Sequence, residues 1–131
     1  MAKFSNTSLE RLSTIHPDLQ HLLMNLILEV DFTIICGHRG KEEQERAFVD
    51  GRTKKHWPNS KHNAFPSKAV DLAPYPLDWE EARRFYYFAG QIMTKAKQLG
   101  LKIRWGGDWD GDLDFKDNDD FNDLPHFELV D

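Results

Sequence analysis

Residues 60–74 read SKHNAFPSKAVDLAP, and the fold turns on how the second half of this stretch is read. From Ala69 to Ala73 the residues suit a strand, with Val70 and Leu72 on one face of a sheet and Asp71 on the other. Pro66 stands ahead of that strand, so His62 belongs to the loop that feeds it. The end of the chain has the same character. In HFELV (126–130), Phe127 and Leu129 share one face, and His126 and Glu128 share the other. If the two strands are neighbours over one core, Asp71 and His126 converge on a point that His62 also reaches.

Working outward, DFTIICG (31–37) is rich in β-branched and apolar residues and ends at a glycine, and LKIRW (101–105) is a further short strand. Four helices are predicted around them. SNTSLERLSTI (5–15) offers hydroxyl and amide N-caps, PDLQHLLMNLILEV (17–30) opens with Pro17 at a first helical position, and KEEQERAFVDG (41–51) is stopped by Gly51. From Asp78 onward, Trp79, Ala82, Phe85, Tyr86, Ala89, Ile92, Met93, Ala96 and Leu99 make one long apolar face. Asp78 and Glu81 are read as a capping box and Gly100 as the stop. The class is α+β, a small antiparallel sheet packed against helices, and 131 residues make one domain, 1–131.

The composition narrows the function classes. A single cysteine, Cys36, excludes an internal disulfide; within an apolar run it reads as a small buried hydrophobe. Residues 1–20 are polar and charged throughout, so no secretory signal is expected, and no run reaches membrane-spanning length, so no membrane anchor is expected either. The net charge of −5 is unevenly spread: residues 105–131 hold ten acids against Lys116, which leaves a basic body. A basic body suits an anionic polymer, and the acidic end suits a hard cation and repels nucleic acid. A His-Asn-His nuclease built on HWPNSKHN is set aside for that reason.

Two histidines and a carboxylate with an open fourth position form a hydrolytic zinc arrangement, because zinc lowers the pKa of water to about 7 and polarises a carbonyl. On this reading the ligands are His62, Asp71 and His126. The motif context agrees. Ser60, His62, Ala69 and Asp71, followed by Asp123 and His126 in DLPHFEL, resemble the pattern of the zinc D-alanyl-D-alanine carboxypeptidase-like cell-wall peptidases. GHRGKEEQERAFVDGRTK and IRWGGDW resemble segments of bacteriophage endolysins that cut the L-alanyl-D-glutamate bond, so the likeness spans residues 30–130. Two departures stand out: NAFPSK lengthens the loop between His62 and Asp71, and Ser67 stands where the family commonly has glycine. Closure entropy grows slowly with loop length, so the ligand set tolerates the insertion.

The resemblance implies a hedgehog/D,D-peptidase-like fold and a zinc endopeptidase acting on peptidoglycan stem peptides as a monomer. Synthesis in the host cytoplasm would be followed by action on the wall once the membrane is permeabilised. It assigns Asp123 as catalytic acid/base, Arg39 to substrate binding and charge on the scissile carbonyl oxygen, and Ser60 to substrate contact or support. Pro125 holds Leu124 extended, which aims the turn so that Asp123 faces His126. Glu128, on the same strand face as His126, is the rival base. Gln44 and Trp109 read as structural, and His16, His21, His38 and His56 receive no role. Two other readings remain: a D,D-carboxypeptidase or dipeptidase of the same fold, and a metal-bearing wall-binding module without turnover.

One further motif is independent of the family. Asp108, Asp110, Asp112, Asp114 and Asp119 fall at positions 1, 3, 5, 7 and 12 of a window with the oxygen-ligand register of an EF-hand loop, a candidate calcium site. Leu113 stands where such a loop needs glycine, and Asp119 replaces its long bidentate glutamate.

Overall fold

The structure is a computed structural model and describes residues 2–117 and 121–131. Strands β1 (Phe32–Cys36), β2 (Ala69–Pro74), β3 (Ile103–Trp105) and β4 (His126–Leu129) form one antiparallel sheet in the order β1-β2-β4-β3. The two strands singled out by the sequence pattern occupy its centre, where β2 is buried at every position. Their register sets Val70 opposite Phe127 and Asp71 opposite His126.

Alternation then sorts the side chains. Val70, Leu72, Ile34 and Phe127 join a core completed by Leu19, Leu22, Leu23 and Leu26 of α2 (Pro17–Leu26) and by Phe88, Ala89, Ile92 and Ala96 of α4 (Ala82–Gln98). Each such side chain stabilises the fold by about 1.5–3 kcal/mol on burial. Asp71, His126 and Glu128 occupy the other face. Two shorter helices complete the fold, α1 (Asn6–Leu12) and α3 (Lys41–Val49). Ser5 caps α1 through its hydroxyl, and Gly51 follows α3 with a φ of 76°, a conformation open to glycine.

Three local features differ from the sequence reading. The long helix starts at Ala82 and not near Asp78, so the expected capping box is absent. Asp78 instead caps a separate turn, its carboxylate accepting from Glu80 N at 3.0 Å, and Glu81 becomes the N-cap of α4. Trp79 stays outside the helix and stacks on Phe85, with centroids 5.4 Å apart. Helix α2 ends at Leu26, and residues 27–30 form a turn. The pairing of β1 with β2 slips at Ile35: Ile34 faces Leu72, but the next partner of β2 is Cys36, opposite Asp71. This bulge turns the Cys36 thiol toward the polar face.

The lengthened loop is pinned at its far end. Ser67 is fully buried; its N–H donates to Thr14 O at 2.9 Å, its carbonyl accepts from His16 N at 2.8 Å, and its hydroxyl donates to Ala69 O at 2.6 Å. The insertion therefore bulges outward and leaves the entry to β2 in place.

Candidate active site

His62 lies in a 3-10 turn, Lys61–Asn63, that Ser60 caps: the Ser60 hydroxyl accepts from His62 N at 3.2 Å, and Asn63 Oδ1 accepts from Ser60 N at 3.1 Å. Arg39 N donates to His62 O at 2.8 Å and Asn63 Nδ2 donates to Arg39 O at 3.0 Å, which clips the turn to the end of β1. Gly37 O lies 2.7 Å from His62 Nδ1. A carbonyl only accepts, so Nδ1 carries the hydrogen and Nε2 turns to Asp71 Oδ1 at 3.2 Å. Gly37 has to be glycine, since a Cβ there would overlap the Thr14 hydroxyl and the Arg11 carbonyl.

His126 is oriented in the same manner from the other side. Its Nε2 donates to Glu128 Oε1 at 2.7 Å, and its Nδ1 stands 3.3 Å from the same Asp71 Oδ1. Both imidazoles thus have one nitrogen fixed by a dedicated acceptor and the other directed at a single carboxylate oxygen. The Arg39 guanidinium approaches Asp71 Oδ2 at 3.4 Å and is held by Gln44 Oε1 at 3.1 Å. Asp123 stands at the start of a turn closed by His126 N donating to Asp123 O at 3.0 Å, with Oδ2 3.8 Å from His126 Nδ1. Gly106 secures that turn, accepting from Asp123 N at 2.9 Å and donating to His126 O at 2.8 Å.

The electrostatics follow from burial and from Asp71. Burial alone would depress the His62 pKa, but the Asp71 carboxylate more than offsets it and raises it to about 10. Asp71 moves the opposite way: burial pushes its pKa up, and the two imidazoles together hold it well below the usual carboxylate range. Burial, then the charge of Asp71, raises Asp123 to about 6, against the pull of His126, His62 and Arg39. For Glu128, burial is outweighed by the His126 hydrogen bond and charge, which lower it to about 2. The centre therefore calls for positive charge between Asp71 and the imidazoles, which a proton or a metal ion supplies equally well in sign.

The structure brings His62, Asp71, His126, Asp123 and Arg39 together. Ser60 is buried as the cap of the His62 turn and also lines the cleft. Glu128 bonds the nitrogen of His126 that faces away from Asp71, and its other oxygen accepts from Arg104 at 3.1 Å. It orients an imidazole and is not placed as a base. Cys36 was read as a buried hydrophobe, yet its thiol lies 4.0 Å from His62 Nδ1. Metal-capable groups among the described residues are Cys36–His62–Asp71 and Asp71–Asp123–His126. Only the bulge brings Cys36 there, and alternation gave no sign of it.

A third such group is Asp108–Asp110–Asp112. Asp108 is 7% exposed; its Oδ2 accepts from Leu113 N at 3.0 Å, while its Oδ1 is buried with no hydrogen-bond partner. Burial, reinforced by Asp112 and Asp110, raises its pKa. Leu113 has a φ of 65°, so it adopts the left-handed conformation that glycine would supply in an EF-hand loop. Asp114 caps Lys116 N at 3.1 Å and stands outside the group of three, and Asp119 lies outside the described residues.

A cleft of about 70 Å³ opens onto the centre. Arg39, Lys54, Lys55 and Lys61 line one side, and Trp109, Phe121 and Asp123 line the other.

Histidines and carboxylates converging at the foot of a narrow cleft, with an acid of raised pKa beside them, define a hydrolase of the metal-capable, histidine-carboxylate class. The family model for phage L-alanyl-D-glutamate peptidases matches residues 1–130, and the chain belongs to that family. It is 30% identical over 120 residues to the L-alanyl-D-glutamate peptidase of Escherichia phage T5, covering 88% of this chain and 87% of that one. Its structure is similar to the crystal structure of the Serratia marcescens L-Ala D-Glu endopeptidase ChiX, with a TM-score of 0.74 and 26% identity over 97% of this chain and 89% of that chain. The protein is accordingly a peptidase with the small α+β fold expected from its strands. Among the described residues no helix is long and apolar enough to cross a membrane.

Proposed function

We propose that the protein is a zinc-dependent endopeptidase that hydrolyses the bond between L-alanine and D-glutamate in peptidoglycan stem peptides, as a phage endolysin. The observation that carries the reading is the pair of oriented imidazoles, His62 Nε2 at 3.2 Å and His126 Nδ1 at 3.3 Å from Asp71 Oδ1. With Nδ1 of one and Nε2 of the other occupied by Gly37 O and Glu128, a lone pair on each ring is available to a metal. Two neutral imidazoles and a carboxylate suit zinc by donor type. Bound there, zinc would supply Lewis acidity toward the scissile carbonyl and toward water.

The remaining roles belong to the chain. Asp123, with its pKa raised to about 6, is suited to take a proton from the attacking water and pass it to the leaving amine near neutral pH. Arg39, held by Gln44, offers a fixed cation to charge developing on the carbonyl oxygen. Ser60 holds the His62 turn. Purified sacculi digested with the zinc-loaded protein should release fragments ending in free L-alanine carboxyl groups. Release of D-alanine instead would favour the D,D-carboxypeptidase reading. Absence of any cleavage would leave the wall-binding module.

The acidic loop is proposed to take calcium through Asp108, Asp110 and Asp112, with Asp114 and Asp119 as further oxygen donors. The buried, unpartnered Oδ1 of Asp108 supports this. The loop begins next to Gly106, which holds the backbone of Asp123, so a cation there would stiffen the segment that carries the acid/base. Calorimetry showing no calcium uptake at millimolar concentration would refute it.

A further inference from the structure

The reaction proposed above places a carboxylate beside the cut. Glutamate has two carboxyl groups; one continues the stem, and the other stays free on the residue whose nitrogen leaves. That anion must enter a cleft whose floor is already acidic, with Asp71, Asp123 and Glu128 all close to the reacting bond. An entering anion requires cations on the wall, and most of the basic side chains at the floor are engaged. Arg39 faces Asp71 and Gln44, Arg104 pairs with Glu128 at 3.1 Å, and the Lys61 ammonium bonds Leu129 O and lies 3.6 Å from Glu128 and 3.7 Å from Asp131.

Lys54 and Lys55 stand differently. Both are exposed, both line the cleft, and both belong to the loop between α3 and the His62 turn. The Lys54 ammonium sits 5.5 Å from the centroid of the Phe121 ring on the opposite wall, so it already spans the mouth. The charge of Lys55 is felt by Glu128 at the floor, as one of the influences that lower its pKa. Their loop is tied to the catalytic centre through one residue. Gln44 Nε2 donates to Lys55 O at 2.6 Å while Gln44 Oε1 accepts from Arg39 NH1, so Arg39 and the lysine loop keep a common register.

We propose that Lys54 and Lys55 form the subsite for the free carboxylate of the glutamate on the leaving side of the scissile bond, so that this enzyme distinguishes a free carboxyl from its amide at that position. The inference rests on the endopeptidase reading. The division of labour is then clear: Arg39 addresses the scissile carbonyl, and the lysine pair addresses the anion beyond it. An ammonium on a flexible stem suits a site that must exchange an aromatic partner for a carboxylate during each turnover.

The test uses two stem peptides identical except that the carboxyl in question is free in one and a primary amide in the other. The zinc-loaded wild type, Lys54→Gln, Lys55→Gln, the double variant and the double arginine variant are assayed for KM, kcat and zinc content. The wild type should favour the free acid roughly tenfold in kcat/KM, the worth of a charge-assisted hydrogen bond, mostly through KM. The preference should weaken with added salt because the lysines are exposed. In the double glutamine variant the ratio of the two peptides should collapse toward one with zinc content unchanged, and arginine should restore it. A wild-type enzyme indifferent to amidation, or a double variant that loses activity equally on both peptides, would overturn the subsite. Cleavage of neither peptide by the wild type would overturn the endopeptidase reading and the subsite with it.

Discussion

Replacing Glu128 by glutamine probes the centre without touching any of the three proposed ligands. In the native chain Glu128 Oε1 accepts from His126 Nε2 at 2.7 Å, which leaves the Nδ1 lone pair of His126 toward Asp71. The variant keeps the shape and loses the charge. Its amide can present either oxygen or NH2 to the ring, and the two orientations favour opposite tautomers of His126. The NH2 orientation would place the imidazole hydrogen on Nδ1, where the metal is proposed to bind. Arg104 and Lys61 also lose their anionic partner, though Arg104 is partly exposed and Lys61 keeps Leu129 O and Asp131. Partners that orient a metal-bound imidazole are typically worth 10–100-fold in affinity, about 1.4–2.8 kcal/mol. Competition with a chromophoric chelator should therefore show zinc affinity weaker in Glu128→Gln by one to two orders of magnitude. Circular dichroism of the metal-free protein should show the sheet intact. A variant that binds zinc as tightly as the wild type would refute the claim that Glu128 acts by orienting His126. A rate that falls while affinity stays unchanged would restore Glu128 as the rival base.

Three further outcomes follow from the geometry. Asp123→Asn should retain zinc and lose hydrolysis by about 10²–10⁴-fold, the usual worth of a general acid/base, as read by kcat on a defined stem peptide with metal analysis of the same sample. Gly106→Ala should lower kcat and stability together, because the added methyl would overlap the Asp123 carbonyl; crystallography of the variant should find the Asp123 turn displaced. In the metal-free protein the pKa of His62 is raised from 6.5 to about 10, so its contribution to stability is fully present below 6.5 and is lost as pH rises through about 10. Asp71 is depressed, and its contribution is lost only in acid; Asp123, raised to about 6, contributes fully below about 3.8 and loses its contribution as pH rises through 6. Denaturant midpoints measured with chelator should thus fall on the alkaline side, and added zinc should flatten that fall. A midpoint independent of pH from 7 to 11 would count against the charge arrangement.

The parts of this site that could be read in advance are those governed by alternation. Val70, Asp71 and Leu72, like His126, Phe127 and Glu128, sort to opposite faces by a period of two, and one shared core makes the strands neighbours. What stayed hidden depends on a single residue's offset or on an atom. The slip at Ile35 brings Cys36 opposite Asp71, and nothing in the composition of FTIIC marks where a strand will bulge. Spacing put Glu128 on the face of His126 but could not say which imidazole nitrogen it would meet. That atom separates an orienting group from a base. The start of α4 was misplaced because Asp78 and Glu81 have the residue types of a capping box, yet each caps a different turn. The acidic window has the spacing of a cation loop, and the structure gathers only Asp108, Asp110 and Asp112 into one group among the described residues.

The uneven charge of the chain finds a use in this arrangement. Lys54, Lys55 and Arg39 come from the basic body, whereas Trp109, Phe121 and Asp123 come from the acidic end, and the cleft runs along the seam between them. A substrate carrying both a carbonyl to be polarised and a free carboxylate needs cations on one wall and a proton acceptor on the other. Asp123 has to remain close to neutral in pKa to serve as that acceptor. Its value is held up by burial and by Asp71, and held in check by the two imidazoles and Arg39. If the acidic loop also takes a cation, part of the negative charge near Asp123 is neutralised, which would lower the pKa of the acid/base while stiffening its turn. Calcium would then shift the acidic limb of the rate profile to lower pH as well as raise the rate. A profile that rises in height without moving would assign the cation a purely mechanical part.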